Sequence, residues 1–166
     1  MQGGLELVLP DESATLRLGE ALAGALGRTM PPVPLLLSGG LGSGKTTLVR
    51  GLVSALPGAE AADVSSPSFN LVNIYPTRPQ TAHFDLYRVA GQAPEEFDDY
   101  LDDAHTFVVA EWIENIPRSQ WPLEAIHLVW HETPSGRALK ISAWGKTACG
   151  LLESLVQTLN QWQKGL

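Results

Sequence analysis

The sequence has little of what marks secreted or membrane-spanning proteins. Cys149 is the only cysteine among 166 residues, so a disulfide within the chain and a cysteine-bound metal cluster are both excluded. A single cysteine favours a reducing compartment. No apolar run approaches the ~20 residues of a membrane span, and residues 1–4 lack the basic and apolar regions of a signal peptide. We therefore expect a cytoplasmic protein that does not contact a membrane.

Positive charge is also scarce. Lysine and arginine number 11 against 18 acidic residues, which gives a net charge of -7, and the basic residues are scattered. Strong direct binding of nucleic acid is not expected, because neutralising phosphates requires a basic face. The hydrophobic content of 44% is typical of a soluble globular protein. The length suits one domain, predicted over residues 1–166.

A glycine-rich stretch after an apolar run carries the clearest functional signal. Leu35 to Leu37 reads as a buried strand, and the following residues match GxxxxGK(S/T), the phosphate-binding loop. Glycines let backbone N–H groups converge on one anion, and the helix that follows adds its positive end. Lys45 is placed to reach the outer phosphates, and the Thr46 hydroxyl to ligate magnesium. The expected phosphate-binding residues are Gly39, Gly42, Ser43, Gly44, Lys45, Thr46 and Thr47.

Two acidic residues end apolar runs and are candidates for the metal side of this site. Asp85 follows residues 82–84, and Glu111 follows residues 107–110. Enzymes with a phosphate-binding loop need a carboxylate at a neighbouring strand end to hold magnesium or orient water. Lys45, Asp85 and Glu111 are the candidate catalytic residues, and Thr46, Asp85 and Glu111 the candidate metal ligands. The sequence does not divide the roles of the two acids, and it favours a structural His83 over a base.

Hydrophobic periodicity predicts the remaining organisation. Apolar and alternating runs predict strands over 5–9, 33–38, 69–75, 81–85 and 106–110, and a hairpin over 126–131 and 139–143. Helices are predicted from Asp11 or Ser13 to 26, over 45–56, as a solvated acidic helix within 91–103, and from 148 to the end. These elements indicate a three-layer α/β domain with a mixed sheet. The hydroxyl-rich residues 65–68 form either a simple turn or a loop that senses the γ-phosphate.

Four stretches together resemble the TsaE (YjeE) family, over about the first two thirds of the chain. They are residues 9–16, the phosphate loop, Ser-Pro-Ser-Phe-Asn-Leu-Val at 66–72, and His-Phe-Asp-Leu-Tyr-Arg at 83–88 followed by Glu-Trp at 111–112. The resemblance implies a P-loop NTPase-like domain with a parallel centre and antiparallel edge strands. It also implies ATP and magnesium as ligands, weak hydrolysis by the isolated protein, and TsaD and TsaB as partners. Those partners place threonylcarbamoyl on the tRNA adenosine beside the anticodon, and the ATP cycle of TsaE resets their complex.

The resemblance also implies roles for particular residues of this chain. The segment 66–69 would be a switch-like loop, with Ser68 at the nucleotide, and Trp112 would lie beside the site, towards the partner. Glu12 and Arg137 would lie near the nucleotide. Two positions depart from the family pattern, because Gly40 stands where an acid is usual and Ser68 where threonine is usual.

Other functions remain open at this stage. A GTPase is disfavoured, because neither Asn-Lys-x-Asp nor Asp-x-x-Gly occurs. A small-molecule kinase is the main enzymatic alternative, although no cluster of arginines suggests a phosphate-covering lid. A nucleotide-gated interaction module that binds ATP without turnover is the non-enzymatic alternative.

Overall fold

The computed structural model describes residues 4–65, 67, 70–134 and 136–164. Its strands are β1 (Leu5–Leu9), β2 (Leu35–Ser38), β3 (Val72–Tyr75), β4 (Gln80–Asp85), β5 (Thr106–Glu111), β6 (Ala125–Thr133) and β7 (Gly136–Trp144). Its α-helices are α1 (Glu12–Leu26), α2 (Lys45–Ser54), α3 (Glu95–Asp102) and α4 (Lys146–Leu159). Within the described ranges, no helix is long and apolar enough to cross a membrane.

All the strands form one mixed sheet in the order β1-β7-β6-β2-β5-β4-β3. The central strands β6, β2, β5 and β4 are parallel to one another. The outer strands pair antiparallel, β7 with β6 and β1 on one side and β3 with β4 on the other. The prediction of a mixed sheet with a parallel centre and antiparallel edges is confirmed.

Helices cover both faces of the sheet, which gives the predicted three layers. On β2, the buried Leu35 and Leu37 belong to the apolar core on one face, which also contains residues of α1, α2 and α4. Leu36 points the other way and belongs to a second core, which contains Phe97 of α3. Strand side chains alternate between faces, so a strand that is apolar throughout is one that is buried on both sides.

Two local contacts fix α1 and α2 relative to each other. The Asp11 carboxylate accepts a hydrogen bond from the Ala14 N–H at 2.8 Å, so Asp11 and not Ser13 caps α1. Further along, Gly51 lies so close to α1 that an added Cβ would clash with the Leu16 carbonyl oxygen. The helix that follows the phosphate-binding loop is thus held directly against α1.

Some element boundaries differ from the sequence prediction. β3 begins at Val72, with a bend over residues 70–71, whereas the predicted strand began at Phe69, which lies outside the described residues. α2 ends at Ser54, earlier than expected. α4 begins at Lys146, because the Glu124 carboxylate accepts hydrogen bonds from the first backbone N–H groups of that helix. Periodicity within the helix cannot reveal a cap that comes from a different segment. The acidic residues of α3 are exposed, as predicted, whereas Phe97 is buried and Tyr100 and Leu101 are half-buried.

One histidine packs beneath the start of the phosphate-binding loop. His127 Nε2 and Ser38 Oγ share a hydrogen bond of 2.8 Å, and Ser38 is the last residue of β2. Burial lowers the pKa of His127 to about 4, and the charge of Arg118 contributes. The ring is therefore neutral at neutral pH, and protonating it is unfavourable in the folded state.

We expect His127 to make folding stability depend on pH. Its folded-state pKa of about 4 lies below the ordinary value of 6.5, so between these values the unfolded chain binds more protons. The free energy of unfolding should therefore fall as the pH drops from about 6.5 towards 4. Urea unfolding of the parent and of His127→Asn across this range measures the difference. Equal slopes in the two proteins would contradict the assignment.

Candidate functional site

The phosphate-binding loop joins β2 to α2 at the carboxyl end of the central strands, where open α/β sheets bind ligands. Gly44 caps α2 with a φ of 110°, in the left-handed region that favours glycine. A Cβ there would lie 3.0 Å from the Arg137 guanidinium and 3.6 Å from the Thr15 methyl group. The loop is thus enclosed by β7 and α1, and Arg137 lies directly against it.

Lys45 is buried and bound to the loop itself. Its ammonium group donates hydrogen bonds to the Gly39 carbonyl at 2.6 Å, to the Gly40 carbonyl at 2.8 Å, and to Ser43 Oγ at 3.2 Å. Desolvation by burial lowers the pKa of Lys45, and the acids Glu111, Glu114 and Asp85 oppose that shift. An anion bound in the loop would be strongly attracted to this ammonium group, because the attraction between opposite charges is stronger where water is partly excluded.

The two predicted acids meet at one edge of the sheet. Asp85 and Glu111 are register partners at the ends of the neighbouring parallel strands β4 and β5. Glu111 is only 2% exposed, and its Oε1 accepts a hydrogen bond of 3.1 Å from the Thr46 hydroxyl. The Asp85 carboxylate accepts a hydrogen bond of 2.9 Å from the Tyr87 N–H. The structure therefore brings Thr46, Asp85 and Glu111 together, as the sequence predicts.

These side chains fit a magnesium ion that takes only some of its ligands from the protein. One hydroxyl and two carboxylates are the hard oxygen donors that Mg²⁺ prefers. The described ranges contain no group of three or more histidine, cysteine, aspartate or glutamate side chains suited to a metal. The donor set thus fits an ion that also takes oxygens from phosphate and water, and it does not fit an ion enclosed by protein alone.

A cavity of about 580 Å³ opens beside the loop. This volume is within the range of small-molecule and nucleotide sites. Arg137 also borders a neighbouring hollow of about 290 Å³, between the loop and the β6–β7 hairpin. The main cavity is lined by Leu41, Gly42, Ser43, Gly44, Lys45, Thr46, Thr47, Pro67, Asn70, Leu71, Asp85, Tyr87, Arg88, Glu111, Trp112 and Arg137.

Most of the residues singled out from the sequence line this cavity, and among the described ones Gly39 and Glu12 do not. Gly39 belongs to the loop, where its carbonyl binds Lys45, but it does not line the cavity. Glu12 is exposed at the first position of α1 and lines neither the cavity nor the neighbouring hollow. Ser68 lies outside the described residues. Gly40, one of the two departures from the family pattern, lines only the smaller hollow.

Trp112 lies at the wall of the cavity in an unusual backbone conformation. Its φ of 59° and ψ of 38° are left-handed, which costs a residue other than glycine about 1 kcal/mol. The indole ring is half-buried, with the Lys45 ammonium 4.3 Å and the Tyr87 ring 4.9 Å from its centre. Such strain is found most often at functional sites.

Several residues of the site were not found from the sequence. Tyr87 and Arg88, which come two and three residues after Asp85 in the His-Phe-Asp-Leu-Tyr-Arg string, also line the cavity. Their position after a strand-ending acid was the available signal. Asn70 and Leu71 also line the cavity, and nothing in their composition indicates it, whereas Pro67 belongs to the segment 66–69 that was expected to be a switch-like loop.

A family model described as "Threonylcarbamoyl adenosine biosynthesis protein TsaE" matches residues 9–139 of the chain. This match spans the loop, both acids and Arg137.

The chain belongs to the TsaE family.

Curated relatives agree with the TsaE family match. A protein named "tRNA threonylcarbamoyladenosine biosynthesis protein TsaE" from Haemophilus influenzae is 36% identical over 111 residues, which cover 64% of this chain and 69% of the relative. Proteins of the same name from Synechocystis and Aquifex aeolicus are 34% and 40% identical, covering 70% and 55% of this chain and 75% and 68% of their own lengths.

A solved structure supports the fold independently. The crystal structure of Bacillus subtilis YdiB superposes with a TM-score of 0.73 and covers 95% of this chain and 97% of its own. Its sequence is 23% identical, so the likeness concerns the fold alone.

Proposed function

We propose that this member of the TsaE family is a magnesium-dependent ATPase that acts with TsaD- and TsaB-type partners in the threonylcarbamoyladenosine modification of tRNA. The observation that carries the proposal is a single cavity lined by the phosphate-binding loop, Lys45, Thr46 and both strand-ending acids. The family assignment supports the pathway. A cytoplasmic location is part of the same proposal.

Different residues of the chain bind the phosphates and the magnesium ion. Backbone N–H groups of the loop and the start of α2 bind phosphate oxygens, and Lys45 exchanges its contacts with loop carbonyls for the outer phosphates. Thr46 and Glu111 would hold magnesium, and Asp85 would either share the metal or orient water. The ion would neutralise charge on the phosphates. The Glu111 carboxylate is buried and accepts a hydrogen bond from Thr46, which fixes its position.

The mouth of the cavity is where we propose that partners bind. Leu41 is 74% exposed and Tyr87 48% exposed, and both line the cavity beside Trp112. Apolar and aromatic side chains grouped at a surface are typical of protein interfaces. A partner seated there covers the nucleotide and is able to supply groups to the phosphates in trans.

The isolated chain should therefore hydrolyse ATP slowly, and partners should accelerate it. Phosphoryl transfer depends on positioning and charge stabilisation, so an incomplete, open site is slow. Phosphate release by the chain alone, and after addition of TsaD- and TsaB-type proteins, measures this. Fast ATP hydrolysis by the chain alone would contradict the proposal. ATP binding without hydrolysis, both in the absence and in the presence of the partners, would favour the nucleotide-gated interaction module. Transfer of phosphate to a small-molecule acceptor would favour a kinase.

We expect Trp112→Ala to impair the partner-linked function more than the fold. The half-buried indole contacts Lys45 and Tyr87 at the cavity wall, so its loss should cost less than the roughly 3–5 kcal/mol of a core tryptophan. ATP binding should persist, while partner-stimulated hydrolysis falls about tenfold or more. Thermal unfolding, calorimetry and phosphate release measure the three effects.

Trp112→Phe is the matched variant, because it keeps an aromatic face for Lys45 and Tyr87. We expect it to retain part of the stimulation. Two results together would show that Trp112 serves the core. The melting temperature of Trp112→Ala would fall sharply, and partner-stimulated hydrolysis would be lost only in proportion to the fraction of unfolded protein.

A further inference from the structure

A buried polar chain runs from Glu111 away from the cavity. His83, in the middle of β4, is fully buried, and its Nε2 lies 3.7 Å from Glu111 Oε1. On the other side of the ring, Nδ1 lies 2.9 Å from the Tyr75 hydroxyl. That hydroxyl is also 3.2 Å from the Ser65 carbonyl oxygen. These contacts thus connect a strand-ending acid, through the His83 ring, to the Tyr75 side chain on β3.

The geometry decides which ring nitrogen of His83 carries a proton. Nε2 is buried without a hydrogen-bond partner within bonding distance in the described part of the chain, and the carboxylate of Glu111 is beside it. A lone pair there would face a buried negative charge, whereas an N–H would be attracted to it. The proton therefore belongs on Nε2.

The Tyr75 hydroxyl completes this arrangement. Burial raises the pKa of Tyr75, so its phenol keeps the proton it donates. When the His83 ring carries a proton on Nε2 and none on Nδ1, Nδ1 is an acceptor and takes the hydrogen bond from Tyr75. The Ser65 carbonyl still has a donor, because Asn73 Nδ2 lies 3.2 Å away. The Tyr75 hydroxyl has one proton, so in this state it bonds His83 and its contact with the Ser65 carbonyl is not a hydrogen bond.

We propose that His83 is a positioning residue for Glu111, acting through an Nε2–H directed at Oε1, with Tyr75 holding the ring in that state. Thr46 donates a hydrogen bond to the same oxygen from the α2 side, and the His83 ring faces that oxygen from β4 at 3.7 Å, beyond hydrogen-bond distance. Outer partners of this kind orient metal-binding carboxylates and raise metal affinity. The inference rests on the proposed role of Glu111 beside a nucleotide-bound magnesium.

The first test concerns the ring alone and needs no nucleotide. In ¹⁵N-labelled parent protein, the His83 nitrogen shifts should show a proton on Nε2. In Glu111→Leu, which removes both the charge and the acceptor beside Nε2, the preference should relax towards a mixture of tautomers. A parent ring with an unprotonated Nε2, or an unchanged tautomer in Glu111→Leu, would overturn the proposal.

The second test uses a matched pair of variants. The amide of glutamine reaches the position of Nε2, whereas the amide of asparagine reaches only that of Nδ1. Calorimetry of ATP binding with and without Mg²⁺ gives the factor by which the metal tightens binding. We expect His83→Asn to reduce that factor by about tenfold and His83→Gln to retain most of it. Tyr75→Phe, which keeps the ring but not the hydroxyl, should have a smaller effect.

The factor by which Mg²⁺ tightens ATP binding could instead fall equally in both His83 variants, together with their melting temperatures. That result would show that His83 has only a structural role. An unchanged factor in both would also overturn the proposal. Absence of ATP binding or of any magnesium effect in the parent would instead refute the proposed function, and the ring test would still decide whether His83 and Glu111 are coupled.

Discussion

Lys45→Ala should weaken ATP binding by about a hundredfold. Its ammonium group is the buried cation at the centre of the loop, and two charge-assisted hydrogen bonds to phosphate amount to about 3 kcal/mol. Alanine keeps the helix start but removes that charge. Calorimetric titration with ATP in the presence of magnesium measures the change.

Lys146→Ala is the matched control for this substitution. Lys146 is likewise the first residue of an α-helix, but it is exposed and does not line the cavity. We expect its affinity for ATP to equal that of the parent. Thermal unfolding of both variants shows whether the loop has kept its fold. Unchanged affinity in a folded Lys45→Ala protein would mean that the loop does not hold the phosphates.

Glu111→Gln should retain the fold and lose partner-stimulated hydrolysis by about a hundredfold or more. The glutamine side chain is nearly isosteric and still accepts the hydrogen bond from Thr46. It lacks the negative charge that a metal ion or an activated water requires, so magnesium should also tighten ATP binding less. Phosphate release with partners present, and calorimetry with and without Mg²⁺, measure the two effects.

Glu114→Gln makes the same substitution three residues further along the chain. Glu114 is exposed and does not line the cavity, although its charge reaches Lys45. Hydrolysis in this variant should remain close to that of the parent. If Glu111→Gln hydrolyses ATP normally with partners, Glu111 is structural and Asp85 becomes the leading acid.

The sequence predicted those parts of the site that depend on short, local patterns. A strand, a glycine-rich turn and a helix start are contiguous in the chain, so the environment of Lys45 and Thr46 followed from the order of the residues. Asp85 and Glu111 each end a buried run. The rule that parallel strands end at one edge brings them together, as their register shows.

Contacts that depend on strand pairing could not be predicted in this way. Tyr75 reaches His83 because β3 folds back antiparallel on β4, and the sequence does not state that pairing. Arg137 reaches Gly44 because of its register on β7 opposite Leu9, and it was expected only from the resemblance to the family. The left-handed backbone of Trp112 has no signal in the sequence, because tryptophan disfavours that conformation.

The most direct test of the central claim is a calorimetric titration of the parent chain with ATP, with and without Mg²⁺. We expect saturable binding of one ATP per chain, because Lys45, Thr46, Asp85 and Glu111 line one cavity. Magnesium should tighten that binding, because both acids and the Thr46 hydroxyl offer it oxygen ligands. An absence of saturable binding by a folded chain in either condition would contradict the claim that this cavity is an ATP site.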